Sequence, residues 1–301
     1  LGVNYFDTAP VYNNDTSEII YGKALKGLDR EKFLIATKGQ NALSSAEMEK
    51  SITRSLKRLG IEYIDFFFLW CIIYPEQYEK SKMNGRSLET IIKAKEKGLI
   101  NHIGVSTHMY SEGIKMLAED DVFEFIMVPY NALNFSAREE GLRYAKDKSL
   151  GTVVMNPMYG GVIPEFSENL KIYPDSNRKP EEDALQFCLE SPYIDVTLAG
   201  MNKKDMIEQN ISIAENSQKV SKADQENRQA SIKSGFDNLC TSCGYCLRHC
   251  PEEIQIKSYM EIYNTYLFSG DEDKTKERYN WYHKFGPLSQ ARKKASDCTQ
   301  C

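Results

Sequence analysis

The chain has 301 residues, and 38 basic against 43 acidic side chains give it a net charge of −5 at pH 7. This balance argues against a nucleic-acid partner, which requires clustered basic charge. The longest apolar run, YIDFFFLWCII at 63–73, contains an acid and is shorter than the roughly 20 residues of a membrane helix. We therefore expect a buried strand there and no membrane association.

Short apolar runs alternate with amphipathic stretches from Val3 to about Ile213, which is typical of repeated βα units on a parallel sheet. The predicted strands are VNYFDT, FLIATK, IDFFFLW, HIGVST, FEFIMVPY, GTVVMN and IDVTLAG. Helical periodicity marks AEMEKSITRSLKRLG and LETIIKAKEKGL between them. The pattern predicts an α/β fold, a (β/α)8 TIM barrel whose first βα unit is missing. An open doubly wound sheet is the alternative, but no GxGxxG follows the first strand.

Polar or chemically capable residues follow the predicted strands. In a barrel the carboxyl ends of the strands form the active-site face. The residues at these ends are Asp7, Lys38, Trp70, Ser106, Asn156 and Gly200.

A change of composition separates the last part of the chain from the barrel. A polar helical stretch, 216–234, reads as a connecting helix. A cysteine-rich segment and two aromatic-rich helical patterns, Lys257–Phe268 and Lys274–His283, follow it. The predicted domains are a barrel at 1–215, the connecting helix at 216–234, and a small α-helical domain at 235–301.

The run CTSCGYCLRHCP has the spacing CxxCxxCxxxCP, which is typical of a [4Fe–4S] site. A zinc ribbon or a disulfide framework is less favoured, because zinc ribbons use two separated CxxC pairs. The run resembles the bacterial ferredoxin motif, and the helices before DCTQC resemble the α-helical ferredoxin arrangement. This resemblance implies one cluster on Cys240, Cys243 and Cys246, and a second on Cys250, Cys298 and Cys301. Each set is one ligand short, so the expectation is a chain that continues within the second motif.

Several motifs in the first 217 residues resemble the aldo-keto reductase family: GVNYFDTAPVYNNDTSEIIYGKAL, FLIATK, HIGVSTH and LAGMNKKDMIEQNI. The closest branch in pattern carries a C-terminal ferredoxin domain. The resemblance implies hydride transfer between a nicotinamide and a carbonyl, with Tyr12 as general acid. Lys38 would lower the pKa of Tyr12, and Asp7 would keep Lys38 charged and fixed. Trp70 stands where the family carries a histidine, and it can donate one hydrogen bond but accept none.

The same resemblance places NAD(P) on residues from both halves of the barrel. Ser106 matches the serine that contacts the nicotinamide amide, but Thr107 follows where an asparagine is usual. The remaining predicted cofactor residues are Asn156, Gly200, Lys203 and Asn210. The choice between NAD and NADP stays open, and a flavin is a further possibility because it connects two-electron with one-electron chemistry.

The leading hypothesis is an oxidoreductase that reduces a small carbonyl substrate with NAD(P)H and is coupled to [4Fe–4S] clusters. A ferredoxin-like or other redox partner would exchange electrons with those clusters. The alternative is an electron-transfer or docking protein on a catalytically altered barrel, because Trp70 replaces the family histidine. The cysteine usage, without extracellular features, leads us to expect a cytoplasmic protein.

Overall fold

The computed structural model describes residues 2–168, 170–234, 239–240, 246–247 and 250–300. Contacts divide the chain into two compact units. The first unit contains Leu1–Val128 and Arg143–Val153, and the second contains Pro129–Leu142 and Val154–Cys301. The predicted domain boundaries at 215 and 235 stay a prediction.

Seven strands occur among the described residues, and they are hydrogen-bonded neighbours in chain order. They are β1 (Tyr5–Asp7), β2 (Leu34–Gln40), β3 (Ile64–Ile72), β4 (Ile100–Thr107), β5 (Phe125–Pro129), β6 (Gly151–Met155) and β7 (Val196–Thr197). Pairing from β1 to β5 is parallel, with Asp7 opposite Ala36 and Lys38 opposite Phe68. All seven predicted strands are therefore confirmed, and the α/β barrel-like class with them.

The helices of the first unit follow the strands in alternation. They are α1 (Tyr12–Asp15), α2 (Ser17–Ala24), α3 (Ser45–Leu59), α4 (Pro75–Lys82), α5 (Ser87–Glu96) and α6 (Ser111–Ala118). The predicted helices at AEMEKSITRSLKRLG and LETIIKAKEKGL are α3 and α5. Helix α7 (Glu139–Asp147) continues from the second unit into the first.

Local sequence signals fix the position of α3. Ser44 and Glu47 form a reciprocal capping box at its start, and Gly60 ends it in the left-handed conformation at φ 68°. Helix α2 packs closely on α3 at Gly22, where a Cβ atom would lie 2.3 Å from the Arg58 carbonyl oxygen. Only glycine allows this approach.

The second unit contains β7 and the later helices, which are α8 (Val162–Glu165), α9 (Pro180–Glu190), α10 (Lys204–Glu215), α11 (Lys222–Ser234), α12 (Ile256–Ser269) and α13 (Glu272–Lys284). The predicted connecting helix corresponds to α11, and the two aromatic-rich patterns correspond to α12 and α13. In the described part of the chain, no helix has the length and apolarity to cross a membrane.

A buried polar network joins the turn after β6 to α12 and α13. The Tyr159 hydroxyl donates to the Glu261 carbonyl oxygen at 3.2 Å, and the Tyr282 hydroxyl donates to the Glu261 carboxylate at 2.9 Å. The Arg278 guanidinium lies 4.3 Å from the centre of the Tyr159 ring. Two C-terminal helices thus hold a loop of the sheet.

Candidate active site

A buried ion pair stands at the ends of β1 and β2. The Lys38 ammonium donates to both Asp7 carboxylate oxygens, at 2.7 and 2.6 Å, and to the Thr8 carbonyl oxygen at 2.7 Å. Lys38 is 1% exposed. All three ammonium protons therefore have an acceptor, which fixes the amine at one point of the site.

Burial dominates the electrostatics of this pair. Desolvation lowers the pKa of Lys38, while Asp7 and then Glu18 act to raise it. Desolvation likewise raises the pKa of Asp7, and Lys38 opposes that shift. Each charge is therefore kept in the site mainly by its partner.

Glu18 is a site residue that the sequence interpretation missed. It is fully buried on α2, accepts a hydrogen bond from the Thr37 hydroxyl at 2.8 Å, and pairs with Arg58 at 3.5 Å. Its negative charge favours the ammonium form of Lys38. A single glutamate in an amphipathic helix usually faces solvent, so no sequence signal marked it.

Tyr12 begins an irregular turn that displays its ring beside the ion pair. Asn13 and Asn14 have φ 51° and Asp15 has φ 63°, so three consecutive residues adopt the left-handed conformation. Asparagine and aspartate tolerate that conformation better than other residues with a side chain. Thr16 closes the turn through its hydroxyl, which donates to the Asn13 carbonyl oxygen at 2.6 Å.

Tyr12 lies between the other predicted catalytic residues. The Lys38 ammonium is 5.0 Å from the centre of the Tyr12 ring, and the Trp70 ring centre is 6.0 Å away at an interplanar angle of 88°. Burial, with smaller contributions from the charges of Asp7 and Cys71, raises the pKa of Tyr12. The expected lowering by Lys38 is absent, because Asp7 neutralises the ammonium. The phenol therefore stays protonated at neutral pH.

Trp70 occupies the end of β3 and is half-buried. Asn41 anchors its backbone, donating from its amide nitrogen and its side chain to the Trp70 carbonyl oxygen at 2.6 and 3.1 Å. Its ring meets the Tyr12 ring edge to face, a favourable aromatic geometry. The structure thus brings the four predicted catalytic residues together in the first unit.

A cavity of about 320 Å³ opens beside this group. Its size is in the range of small-molecule sites. Two predicted catalytic residues, Lys38 and Trp70, form part of its wall, and one face of α3 forms another part. The lining residues are Pro10, Val11, Lys38, Gln40, Leu43, Glu47, Lys50, Ser51, Arg54 and Trp70.

Ser106 lies at the end of β4 and is fully buried. Its hydroxyl has no hydrogen-bond partner among the described residues, an arrangement that costs free energy unless a ligand supplies the partner. The neighbouring Thr107 hydroxyl instead donates to the Ile72 carbonyl oxygen at 2.8 Å and accepts from the Met109 amide at 3.0 Å. Ser106 alone of these two therefore offers a hydroxyl to a cofactor.

The other predicted cofactor residues belong to the second unit. Asn156 follows β6 with φ 60°, and its carbonyl oxygen accepts from the Asn131 side chain at 2.9 Å. Gly200 is exposed beyond β7, Lys203 is exposed at the start of α10, and Asn210 is half-buried on that helix. Lys203 precedes the first turn of α10 as its N-cap residue, with an extended backbone, and Asn210 lies within the helix.

The predicted cluster cysteines are described only in part. Cys240, Cys246 and Cys250 are half-buried and Cys298 is exposed, and none of these four forms a disulfide. Cys243 and Cys301 lie outside the described residues. Within the described ranges, no three His, Cys, Asp or Glu side chains come together as a metal site.

One side chain positions the first cysteine of the motif. The Asn264 side chain on α12 donates to the Cys240 carbonyl oxygen at 2.8 Å and accepts from the Cys240 amide at 2.9 Å. Asn264 is nearly fully buried. This paired contact resembles one rung of a β-ladder and fixes the backbone at Cys240.

The sequence matches a known protein family. The model of the aldo/keto reductase family matches residues 1–229. L-galactose dehydrogenase of Arabidopsis thaliana is 27% identical over 241 residues, which cover 70% of this chain and 74% of that protein. The NADH-specific methylglyoxal reductase of Escherichia coli is 26% identical over 181 residues, which cover 54% of each.

Solved structures support the fold. Aldo-keto reductase AKR11C1 from Bacillus halodurans, in its holo form, superimposes with a TM-score of 0.64 at 24% identity, covering 77% of this chain and 84% of that one. An aldo-keto reductase from Klebsiella pneumoniae in complex with NADPH gives a TM-score of 0.58 at 18% identity, covering 77% and 80%. At these identities the likeness concerns the fold alone.

Proposed function

Because the chain belongs to the aldo/keto reductase family, and is thereby an oxidoreductase, we propose that it transfers hydride between NAD(P)H and a small carbonyl substrate. The main support for this proposal is the group formed by Asp7, Lys38 and Tyr12 at the carboxyl ends of β1 and β2. A protonated phenol beside a fixed ammonium is suited to donate a proton to a carbonyl oxygen as that oxygen gains charge.

Tyr12 supplies the proton in this proposal. Its raised pKa keeps the phenol in the acid form, and the Lys38 ammonium lies 5.0 Å from the centre of its ring. Asp7 and Glu18 are positioning residues, because they hold the ammonium charged in a buried place. Trp70 forms a flat wall and offers one indole N–H where the family carries a histidine.

The residues present fit a nicotinamide cofactor. The buried, unpartnered hydroxyl of Ser106 matches a carboxamide that requires hydrogen bonds. When bound, NAD(P)H supplies the hydride. We further propose Asn156, Gly200, Lys203 and Asn210 of the second unit as cofactor-binding residues, with Lys203 or Lys204 as the candidate cation for a 2′-phosphate.

We also propose that the cysteine motif binds a [4Fe–4S] cluster. The spacing of Cys240, Cys243, Cys246 and Cys250 supports this proposal, as does the firm anchoring of Cys240 by Asn264. Within the described ranges no three such ligands come together, and Cys243 lies outside those ranges. A ferredoxin-like protein is the partner that such a cluster would serve.

The test of the reductase activity uses the full chain, prepared without oxygen. NADH and NADPH oxidation at 340 nm is followed with a panel of small aldehydes and ketones. We expect turnover by the wild type and a loss of at least about a hundredfold in Tyr12→Phe, the range of general acid catalysis. Tyr63→Phe is the matched control, because Tyr63 precedes β3, at the opposite end of that strand from Trp70, and its ring centre lies 4.2 Å from the Arg30 guanidinium.

Two results would count against this function. Equal turnover in Tyr12→Phe and wild type would remove the tyrosine from the reaction. Absence of both turnover and NAD(P)H binding would favour the alternative, a docking or electron-transfer protein on an altered barrel. Iron and acid-labile sulfide analysis tests the cluster separately, and Asn264→Leu should lower the iron content of a cluster-binding protein.

A further inference from the structure

One face of α3 carries two cations that the proposed chemistry does not use. Lys50 and Arg54 are four residues apart and lie on the same face of the helix. Both line the cavity that also contains Lys38 and Trp70. Their side chains therefore share one cavity with Lys38 and Trp70, both of which lie close to Tyr12.

Neither Lys50 nor Arg54 forms an ion pair within the described part of the chain. Arg58, one turn later, is already bound to Glu18 at 3.5 Å and to the Pro10 carbonyl oxygen at 3.2 Å. Lys50 and Arg54 form no comparable ion pair with another described residue, although the charge of Lys50 helps to lower the pKa of Glu47. Since both are exposed, their donors are available to a ligand in the cavity.

The charges in the cavity wall do not cancel. Lys38 is neutralised by Asp7, so it adds no net charge. Glu47 is the one carboxylate in the lining, and Ser44 holds it through its amide at 2.9 Å and its hydroxyl at 2.6 Å. Lys50 and Arg54 together exceed the single carboxylate of Glu47 by one charge, and this positive wall favours an anionic ligand.

We propose that the substrate carries an anionic group, a carboxylate or phosphate, in addition to its carbonyl, and that Lys50 and Arg54 bind this group. The proposal rests on the reductase function. Hydride from NAD(P)H adds to the carbonyl carbon and the Tyr12 proton to its oxygen, giving an alcohol and NAD(P)+. The anionic group stays unreacted and orients the carbonyl toward Tyr12.

Matched substrates test the proposal. The value of kcat/KM is measured for 4-oxobutanoate and for its neutral methyl ester, and for glyceraldehyde 3-phosphate and glyceraldehyde. We expect the wild type to prefer the anion of at least one pair, and the pair that is discriminated identifies carboxylate or phosphate. Lys50→Gln and Arg54→Gln should each lower that preference roughly fivefold, the upper range for an exposed ion pair.

Lys57→Gln is the matched control, because Lys57 is an exposed cation on the same helix outside the cavity lining. It should leave the preference unchanged. Equal use of both members of each pair by the wild type would overturn the proposal. So would a preference that survives Lys50→Gln and Arg54→Gln.

Anion binding is measured separately, so that failure of the reductase function stays distinguishable. Titration calorimetry with succinate and with inorganic phosphate uses the same three variants. Without turnover of any carbonyl, anion binding that Lys50→Gln and Arg54→Gln weaken and Lys57→Gln keeps would support the anion site while rejecting the reductase. Absence of both turnover and anion binding would reject the site.

Discussion

Asp7→Asn leaves the Lys38 ammonium buried without its hydrogen-bonded counterion, and we expect a loss of about 3–5 kcal/mol of unfolding free energy at pH 7. Lys38 is 1% exposed, and only the Thr8 carbonyl oxygen and the new amide oxygen remain as acceptors. The loss of unfolding free energy cannot exceed the cost of deprotonating Lys38, because the neutral amine can be buried instead of the ammonium. From an ordinary pKa of about 10.4, deprotonation at pH 7 costs roughly 4.6 kcal/mol.

The loss should shrink as the pH rises. In the variant the folded-state pKa of Lys38 lies below its unfolded value, so the unfolded chain binds more protons and stability increases with pH. At pH 9 the cost of deprotonation falls to roughly 1.9 kcal/mol. The wild type retains the Asp7 carboxylate, so the difference between variant and wild type is the quantity to follow.

Urea unfolding at pH 7 and pH 9 measures both values. The chain has two tryptophans, so a Trp281→Phe background leaves Trp70 as the reporter of the first unit. Asp29→Asn is the matched control, because Asp29 is half-exposed and 3.9 Å from Lys32. A loss at pH 7 under about 1 kcal/mol, an equal loss at both pH values, or an equal loss in the control would refute the reasoning.

Three further predictions concern the same unit. Ser106→Ala should raise the dissociation constant for NAD(P)H about two- to tenfold in a fluorescence titration, with unchanged thermal stability because the hydroxyl has no described partner; unaltered binding would contradict it. Gly22→Ala should cost about 1–3 kcal/mol in urea unfolding, because its Cβ would lie 2.3 Å from a backbone oxygen; a neutral change would contradict it. The raised pKa of Tyr12 keeps the acid form, so kcat/KM for reduction should not fall between pH 7 and 9; a descending limb there that is lost in Tyr12→Phe would contradict the raised pKa.

The strands could be predicted from the sequence because buried parallel strands consist of contiguous apolar residues, as in IDFFFLW at β3. The positions of Asp7, Tyr12 and Lys38 could also be predicted, since Asp7 and Lys38 lie near the carboxyl ends of β1 and β2 and Tyr12 lies in the turn after β1. Glu18 and the pair of Lys50 and Arg54 were not readable. The roles of these three residues depend on which face of α2 or α3 lies toward the site. A single polar residue in a helical sequence does not indicate that orientation.

The raised pKa of Tyr12 also lay outside sequence reasoning. A lysine near a tyrosine suggests a lowered pKa. The bidentate contact between Lys38 and Asp7 cancels most of that effect, and burial then dominates. Pairing geometry of this kind is a property of the folded backbone, since the two residues are separated by 31 positions.

The contacts of Tyr159 bear on whether the C-terminal helices can be treated as a detachable module. Tyr159 follows β6, yet its hydrogen bond and its cationic neighbour come from Glu261 and Arg278, more than a hundred residues later. Unfolding of α12 and α13 would remove the contacts that hold the loop after β6. Amide hydrogen exchange in that loop and in α12 should therefore be governed by one opening event. Truncation after Ser234 would remove α12 and α13 and would also destabilise the loop after β6.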